Sequence, residues 1–549
     1  MTHSDIEDVL PATPPQESLY LDWLYRGGEE GSYVLQATME FRGPFDADRM
    51  RAAVATVLAR YPALRAGFHM RPGTGRLVQV ILREAEIPLE SVDLRDEEPS
   101  RRQDELRSIL SAELCRQTDL AKPPLIRGLL ISVTPERHVL ALTYHHILLD
   151  GWSGYLLLEQ IVDGYDGTQT TRDLPGSYRA YGTWLAGQSR EPAEAAWRAY
   201  LSGLRTGTRV AFDGAGNRAS VARRLERRLD PRTTERLRAC ARDHDLTLNT
   251  VVQAAWGLVM SHLCDSSDIV IGKTVAGRPA DLPGSDRMIG MFANTIPARI
   301  RLDGAETVGQ LCLRIQSEQA RLADHEYLGL SAIQEACGRR SLFDTGFVFQ
   351  NVPGLVRRPQ TREDGLHVTF GGHNTPHFPM VLTAFLDEDT LVTRLGYAGG
   401  MFPESAMVKA ADALQLLLAR IVDATGVRVA ELGTLSVEPL SPPVDEPAKT
   451  GPGGAAEATA EEPAAEGVVM GTLMRLLSEI FGVAESDIDP RDDFFELGGG
   501  SLHAARLAIR LQQLLGAEVS VRQILDHPVI GDLARVCAET VAAEPSRKR

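Results

Sequence analysis

Two adjacent histidines followed by an aspartate and a glycine are the residues whose types and spacing best suit chemistry in this sequence. They lie in the run Tyr144-His145-His146-Ile147-Leu148-Leu149-Asp150-Gly151-Trp152-Ser153. A neutral imidazole takes up and returns a proton near neutral pH, and a carboxylate in the same loop can hold the histidine or the loop itself. The run therefore predicts an active-site loop. An ordinary buried histidine pair above a turn is the alternative that these residues alone leave open.

A short apolar strand must position these histidines. The segment Val139-Leu140-Ala141-Leu142-Thr143 is apolar and partly β-branched, which is typical of a buried strand. Successive side chains of a strand point to opposite faces, so His145 and His146 cannot both enter one cleft. Gly151 permits the turn that follows. We predict that His146 performs the chemistry, with Asp150 brought near it by the returning loop.

A serine after three glycines is the second residue with a chemical environment. It lies in the run Asp492-Asp493-Phe494-Phe495-Glu496-Leu497-Gly498-Gly499-Gly500-Ser501-Leu502. The glycines allow a strained turn, and Ser501 then begins a helix that carries Leu507 and Leu511. The N–H groups and the dipole of a helix N-terminus favour an anion, so this hydroxyl suits a phosphodiester. The residues alone leave an ordinary serine N-cap open as the alternative.

The bulk composition is that of an acidic globular protein with several folding units. A chain of 549 residues exceeds the size of a single hydrophobic core, so about two to four units are expected. The net charge of −16 argues against a nucleic-acid partner. Six scattered cysteines without a CxxC pair predict a cytoplasmic protein. The acidic first residues do not fit a signal peptide, and no apolar run approaches the ~20 residues that span a membrane.

The apolar pattern divides the chain. Residues 1–440 alternate strand-like and helix-like runs, and Asp46 and Thr247 are expected to cap two of the helices. Residues 441–467 are rich in proline, alanine, glycine and glutamate, which predicts a flexible, self-repelling tether. Apolar stripes in residues 468–541 predict a small helical bundle, and residues 542–549 form a solvated tail.

The motifs of the first 440 residues resemble one family. His145-His146-x-x-x-Asp150-Gly151 is similar to the HHxxxDG signature of the condensation domains of nonribosomal peptide synthetases. Other stretches resemble further motifs of that family in the expected order, namely Thr13-Pro14-Pro15-Gln16, Arg60-Tyr61-Pro62-Ala63-Leu64-Arg65-Ala66-Gly67-Phe68, Tyr181-Gly182-Thr183-Trp184, Gly277-Arg278-Pro279 and Ile289-Gly290-Met291-Phe292-Ala293-Asn294-Thr295. The resemblance covers about residues 5–440. It implies an α/β (α+β) fold of two lobes, related to chloramphenicol acetyltransferase, with lobes at residues 1–175 and 176–440.

The serine region resembles a second family. Asp493-x-Phe495-x-Leu497-Gly498-Gly499-x-Ser501-Leu502 is similar to the phosphopantetheine-attachment motif of peptidyl carrier domains. The resemblance implies a small four-helix carrier bundle at residues 468–541, with 4′-phosphopantetheine carried on Ser501. Gly500 departs from the family pattern, which often has histidine or aspartate there, and this departure bears on which partner docks.

The condensation resemblance implies roles for the residues of the first site. The family's reaction is attack by an amine on a donor thioester, and His146 would orient that amine and accept or relay its proton. The N–H of Gly151 is a candidate oxyanion donor. Asp150 would hold the loop by pairing with a distant arginine, Arg278 first and Arg65 second.

Two further residues have candidate roles. His145 would support the strand end by packing and hydrogen bonding. For Asn294, lining the acceptor tunnel and making an ordinary strand-end hydrogen bond are equally supported. A metal site at His373 and His377 is rejected, because Pro376 separates them and no third ligand is evident. A serine hydrolase is disfavoured because no G-x-S-x-G motif accompanies the histidines.

The order of the two regions implies several partners. Only the tether lies between the condensation-like region and the carrier-like region, so a separate adenylation enzyme would load the carrier. An upstream donor carrier would deliver the acyl group, a phosphopantetheinyl transferase would modify Ser501, and a downstream synthetase or releasing enzyme would take the product. Ester formation, acylation of a free amine, a noncatalytic docking platform and the reverse donor and acceptor assignment remain as alternatives.

Overall fold

The helices and strands of the first 440 residues follow the alternating pattern of the sequence. The computed structural model describes residues 5–25, 33–71, 75–168, 177–211, 222–339, 341–350, 360–361, 365–373, 378–432, 436–440, 462–481, 483–495, 497, 501–515 and 519–543. The first of its two units comprises Met1–Gln16, Tyr33–Met70 and Leu77–Pro442, and the second comprises Glu17–Ser32, Arg71–Arg76 and Pro443–Arg549.

The strands are β1 Ile6–Pro11, β2 Val34–Arg42, β3 Ala66–Met70, β4 Leu77–Leu82, β5 Leu89–Asp93, β6 Ile126–Thr134, β7 Arg137–His145, β8 Ala222–Arg228, β9 Asp268–Val275, β10 Asn294–Arg301, β11 Thr345–Gln350, β12 Gln360–Thr361, β13 His367–His373, β14 Met380–Asp387 and β15 Thr390–Ala398. The helices are α1 Pro14–Tyr25, α2 Ala47–Arg60, α3 Arg102–Cys115, α4 Gly151–Asp166, α5 Tyr178–Ala186, α6 Arg190–Tyr200, α7 Pro231–Asp243, α8 Leu248–Leu263, α9 Val308–Leu322, α10 Leu330–Ala336, α11 Glu404–Ala424, α12 Glu462–Phe481, α13 Ser501–Leu515, α14 Val521–Asp526 and α15 Ile530–Ala543.

The strand that leads to the histidines lies inside a six-stranded sheet with the order β12-β13-β2-β7-β6-β5. Strand β7 pairs with β2 and with β6, both antiparallel, and this agrees with its prediction as a buried strand. Strand β13 comes from the predicted second lobe, yet it pairs with β2 along its whole length. The division into 1–175 and 176–440 is therefore not clean, because the open edge of β2 is satisfied by a strand from much later in the chain. Residues 169–176, where the division was placed, lie outside the described residues.

The second six-stranded sheet has the order β10-β9-β11-β14-β15-β8. Helices α7, α8, α9 and α11 contribute to the large apolar core on one of its faces. Helix α8 is buried along almost its whole length, and the side chain of its N-cap Thr247 accepts the N–H of Thr250. In helix α2, Asp46 accepts two N–H groups of the first turn. Both predicted caps are confirmed, because N-capping depends on residues within one turn of the helix.

The carrier region contains four helices among its described residues, as predicted. Helices α12 to α15 share one apolar core, which includes Leu476, Phe494, Leu507 and Leu533. Helix α12 begins at Glu462, inside the predicted tether of 441–467, because its glutamate and alanine residues are good helix formers. Residues 441–461 of the tether lie outside the described residues. Among the described helices, none has the length and apolar character that crossing a membrane requires.

Candidate active site

The two histidines lie where β7 gives way to α4. His145 is the last residue of β7, and α4 begins at Gly151. Asp150 is the N-cap of α4, because its Oδ1 accepts the N–H of Ser153 at 2.7 Å. Aspartate is among the favoured N-cap residues, so the sequence itself stops the connection at this position. The strand end and the helix start thus hold a connection of only a few residues at both ends.

The half-buried ring of His146 is oriented by the loop that follows it. Its Nδ1 lies 2.7 Å from the carbonyl oxygen of Leu149. A carbonyl only accepts, so Nδ1 carries the proton and the lone pair of the neutral ring is on Nε2. Burial lowers the pKa of His146, opposed by the hydrogen bond to Leu149 and the charge of Asp150. The imidazole is therefore neutral at physiological pH, as a proton acceptor must be.

His145 is a buried support of the strand end. Its side chain is within a residue that is 1% exposed, and its Nδ1 accepts the N–H of Ile147 at 3.2 Å. Burial lowers the pKa of His145 to about 3, with a smaller contribution from His146. Within the described part of the chain, Nε2 of His145 has no hydrogen-bond partner. The ring therefore packs as a neutral group and has no acceptor that would stabilise its cation.

The low pKa of His145 predicts an acid-sensitive fold. Above the unfolded pKa of about 6.5 the ring is neutral in both states, whereas below it only the unfolded chain takes up the proton, so stability falls with pH. We expect wild type to lose about 2 kcal/mol more than His145→Asn on moving from about pH 7.5 to about pH 5, measured by urea unfolding of the first unit. His527→Asn, in the second unit, is the control. Equal acid sensitivity of wild type and His145→Asn would show that His145 ionises in the folded protein.

Asp150 joins the histidine loop to the segment before β10. Its Oδ2 accepts the N–H groups of Phe292 at 3.0 Å and Ala293 at 3.1 Å. Its Oδ1 lies 3.4 Å from Nη2 of Arg278, and the residue is 1% exposed. A carboxylate with this many donors is saturated, so it positions the loop and does not accept a proton in catalysis.

The structure brings the first predicted arginine to Asp150 and keeps the second away. Besides Asp150, Nη2 of Arg278 donates to Ser153 Oγ at 2.8 Å, and Nη1 donates to the carbonyl of Met288 at 2.9 Å. Arg65 instead donates to Glu7 and to the end of helix α2. Arg278 therefore spans from the start of α4 to the chain that precedes β10.

The residues around the guanidinium of Arg278 hold it in place. The rings of Trp152 and Phe292 lie 5.3 Å and 4.2 Å from it. Burial lowers the pKa of Arg278, yet the group keeps its charge because the usual value is above about 12. Gly277 has a φ of +61°, and a Cβ there would overlap the carbonyl of Phe292. Only glycine lets the chain enter this arginine position without displacing the segment that binds Asp150.

Gly151 is an exposed first residue of α4. No heavy atom lies within 4 Å of the position that a Cβ would occupy, so the space beside it is open. The first N–H groups of a helix have no intrahelical carbonyl partner. This geometry is compatible with an oxyanion donor, and that role stays a prediction.

Asn294 is used up by the backbone around it. Its Nδ2 donates to the carbonyls of Glu326 at 2.8 Å and Leu328 at 2.9 Å, and its Oδ1 accepts the N–H of Thr295. The residue is 6% exposed. These contacts favour the strand-end hydrogen bond over the tunnel-lining alternative.

Two buried side chains that the sequence interpretation did not single out also hold the histidine loop. Gln16 Nε2 donates to the carbonyl of Ile147 at 3.1 Å and to Gln79 Oε1 at 3.2 Å. Ser153 Oγ donates to the carbonyl of Gly290 at 2.6 Å. Gln16 was visible in the quoted motif near the N-terminus, but its partner, 131 residues later, was not.

Ser501 is the first residue of α13, and its side chain lies outside the described residues, as do Gly498 to Gly500. A helix of this length offers N–H groups and a positive dipole end to a phosphodiester at its first residue. Phe494, fully buried, fixes the chain just before the glycines in the carrier core. The arrangement therefore fits a phosphopantetheine group. His377 also lies outside the described residues, so the rejected histidine pair has no structural description.

Comparisons with known proteins agree with both regions. The sequence model of the family described as Condensation domain matches residues 6–439, and that of the family described as Phosphopantetheine attachment site matches residues 471–537. Chondramide synthase of Chondromyces crocatus is 35% identical over 368 residues, which is 64% of this chain and 9% of that protein. A linear gramicidin synthase of Brevibacillus parabrevis is 30% identical over 445 residues, which is 79% of this chain and 9% of that protein. The chain thus spans less than a tenth of these relatives' length.

The fold has solved counterparts. The first condensation domain of the calcium-dependent antibiotic synthetase superposes with a TM-score of 0.64 at 19% identity, covering 78% of this chain and 100% of that domain. The predicted condensation fold is confirmed.

Proposed function

The chain belongs to the condensation-domain family and carries a phosphopantetheine-attachment domain after it, and from this premise we propose that it forms an amide in nonribosomal peptide synthesis. It joins an acyl or peptidyl group, delivered as a thioester by a partner carrier, to the amine of an aminoacyl group held on its own carrier region. When attached to Ser501, 4′-phosphopantetheine supplies the thiol that holds this aminoacyl group.

One observation carries the proposal, namely the tautomer of His146. Because Nδ1 is bonded to the carbonyl of Leu149, Nε2 has the lone pair that can accept the proton of an attacking amine. The C–N bond forms, the C–S bond breaks, and the proton that His146 takes from the amine goes to the leaving thiolate. A docking platform without catalysis has no use for this arrangement.

Position contributes more to this reaction than proton transfer. A thioester is already activated, and bringing two tethered ends together is worth about 7–11 kcal/mol, whereas acid–base help adds about 10²–10⁴-fold. Asp150 and Arg278 support the position of His146 by holding the loop to the chain before β10. The N–H of Gly151, beside open space, is the donor that we propose for the developing oxyanion.

The partners follow from the composition of the chain. Residues 441–461 separate the condensation region from helix α12, which is too few for an ATP-dependent adenylation domain between them. We therefore propose loading by a separate adenylation enzyme, modification by a phosphopantetheinyl transferase, and delivery of the donor by another carrier. A downstream synthetase or releasing enzyme would take the product.

Reconstitution with intact-mass detection tests the proposal. A phosphopantetheinyl transferase attaches aminoacyl-pantetheine from an aminoacyl coenzyme A, a donor acyl-carrier is added, and the mass of the full chain is followed. We expect the loaded chain to gain the mass of the donor acyl group. Failure with every plausible donor and acceptor would favour the docking platform, and acylation of an added free amine instead would favour that alternative.

Substitution of Ser501 gives the corresponding prediction for the carrier region. Ser501→Ala removes the hydroxyl that forms the phosphodiester, so we expect complete loss of the pantetheine mass gain. His146→Ala, whose carrier region is unchanged, should take up pantetheine at the wild-type rate. A mass gain in Ser501→Ala would place the modification on another residue.

A further inference from the structure

Tyr33, the residue before β2, has a backbone conformation that is unusual for its type. Its φ is +59° and the residue is 8% exposed. A bulky side chain disfavours the left-handed region by roughly 1–2 kcal/mol. Within the described ranges, the other non-glycine residues with positive φ are Asp245, Asp265 and Glu388. Aspartate tolerates this region, and Glu388 is an exposed residue of the hairpin between β14 and β15, so the buried tyrosine needs a separate explanation.

The conformation of Tyr33 directs its carbonyl at His146. The N–H of His146 donates to the carbonyl oxygen of Tyr33 at 2.7 Å. The neighbouring residues, Val34 and His145, are the last pair of the β2 and β7 register. The Tyr33 carbonyl therefore continues the pairing one residue beyond the strand, to the histidine that we place at the reaction.

The side chain of Tyr33 packs beside the other histidine. The ring centroids of Tyr33 and His145 are 6.1 Å apart with an interplanar angle of 53°. His145 in turn accepts the N–H of Ile147, so its ring lies against the backbone on both sides of His146. Packing of the buried ring can offset the cost of the left-handed backbone, as strained residues at functional sites require.

We propose that Tyr33 is a positioning residue for His146, in which the buried ring maintains a left-handed backbone whose carbonyl fixes the N–H of His146. The inference rests on the proposed role of His146 in the condensation reaction. The backbone hydrogen bond sets the position of the His146 Cα, and the bond from Nδ1 to Leu149 then sets the direction of Nε2. A shift of about 1 Å in such a group can cost about a hundredfold in rate.

Four variants separate the ring from the backbone conformation. Tyr33→Phe keeps the ring, Tyr33→Asn and Tyr33→Gly accept positive φ without the ring, and Tyr33→Ile resists positive φ because it is β-branched. In the reconstituted reaction of the full, pantetheinylated chain, we expect Tyr33→Phe to stay within about twofold of wild type. For Tyr33→Ile we expect kcat to fall roughly tenfold to a hundredfold with KM for the donor carrier unchanged. Tyr33→Asn and Tyr33→Gly should lie between these two.

Glu388→Ile is the matched control, since it places the same side chain at a positive φ in the β14 and β15 hairpin. It should lower stability while leaving kcat at the wild-type value. A fall in kcat equal to that of Tyr33→Ile would mean that any strained residue slows the reaction, which would overturn the proposal. If Tyr33→Ile does not fold, Tyr33→Gly and Tyr33→Asn against Tyr33→Phe give the same comparison, and equal rates in all three would overturn it.

A spectroscopic readout keeps this inference distinct from the proposed function. In protein whose histidines carry the NMR-active nitrogen isotope, the His146 signals, assigned with His146→Ala, should have the tautomer with the proton on Nδ1. We expect Tyr33→Ile, or Tyr33→Gly in its place, to shift these signals while those of His527 stay unchanged. Unaltered His146 signals would overturn the positioning role. A shift in protein that forms no amide would support the role and contradict the proposed function alone.

Discussion

Replacing His146 with alanine is expected to slow amide formation by about 10²–10⁴-fold, the usual contribution of a positioned acid–base group. The Nε2 of this ring has the lone pair, because Nδ1 is bonded to the carbonyl of Leu149. The loss is measured as the rate of mass transfer from the donor carrier to the loaded chain. His138→Ala, at the other end of β7, is the matched control and should keep the wild-type rate.

The size of this loss should depend on pH. An α-amino group has a pKa of about 7.7–8.0, so above about pH 8 most of the acceptor needs no base to begin attack. The deficit of His146→Ala should therefore be smallest at high pH. For wild type, burial lowers the pKa of His146 below its ordinary value, so the rate should fall only as the pH drops through this lowered pKa. Full activity of His146→Ala at neutral pH would contradict both the base and the positioning role.

Replacing Asp150 with alanine is expected to destabilise the first unit by about 3–5 kcal/mol, because it leaves the buried charge of Arg278 without its carboxylate. The substitution also removes the acceptor for the N–H groups of Ser153, Phe292 and Ala293. Urea unfolding measures the free energy, and turnover should fall with it.

An exposed ion pair provides the control for this substitution. Asp104 pairs with Arg107 on helix α3, and the two side chains are 73% and 71% exposed. Because solvent screens such a pair, Asp104→Ala should cost less than about 1 kcal/mol. If Asp150→Ala were as stable as Asp104→Ala, the clamp between the histidine loop and the chain before β10 would not contribute to the fold.

The local features of this protein were predictable from neighbouring residues. The caps at Asp46 and Thr247 and the strand that leads to His145 follow from residues within one turn or a few alternating positions. Helix α12 begins earlier than predicted, because the composition typical of a tether also favours a helix. The two family resemblances were likewise carried by short, ordered motifs, and both families match the chain.

Tertiary structure alone decided which distant groups meet. The sequence left Arg278 and Arg65 both open as partners of Asp150, and the structure places only Arg278 beside it. It also brings β13 to the edge of β2 and the carbonyl of Tyr33 to His146. Periodicity and capping report on residues a few positions apart, whereas these contacts join residues about a hundred or more positions apart. They depend on how the sheets and helices pack, and that packing is a property of the whole fold.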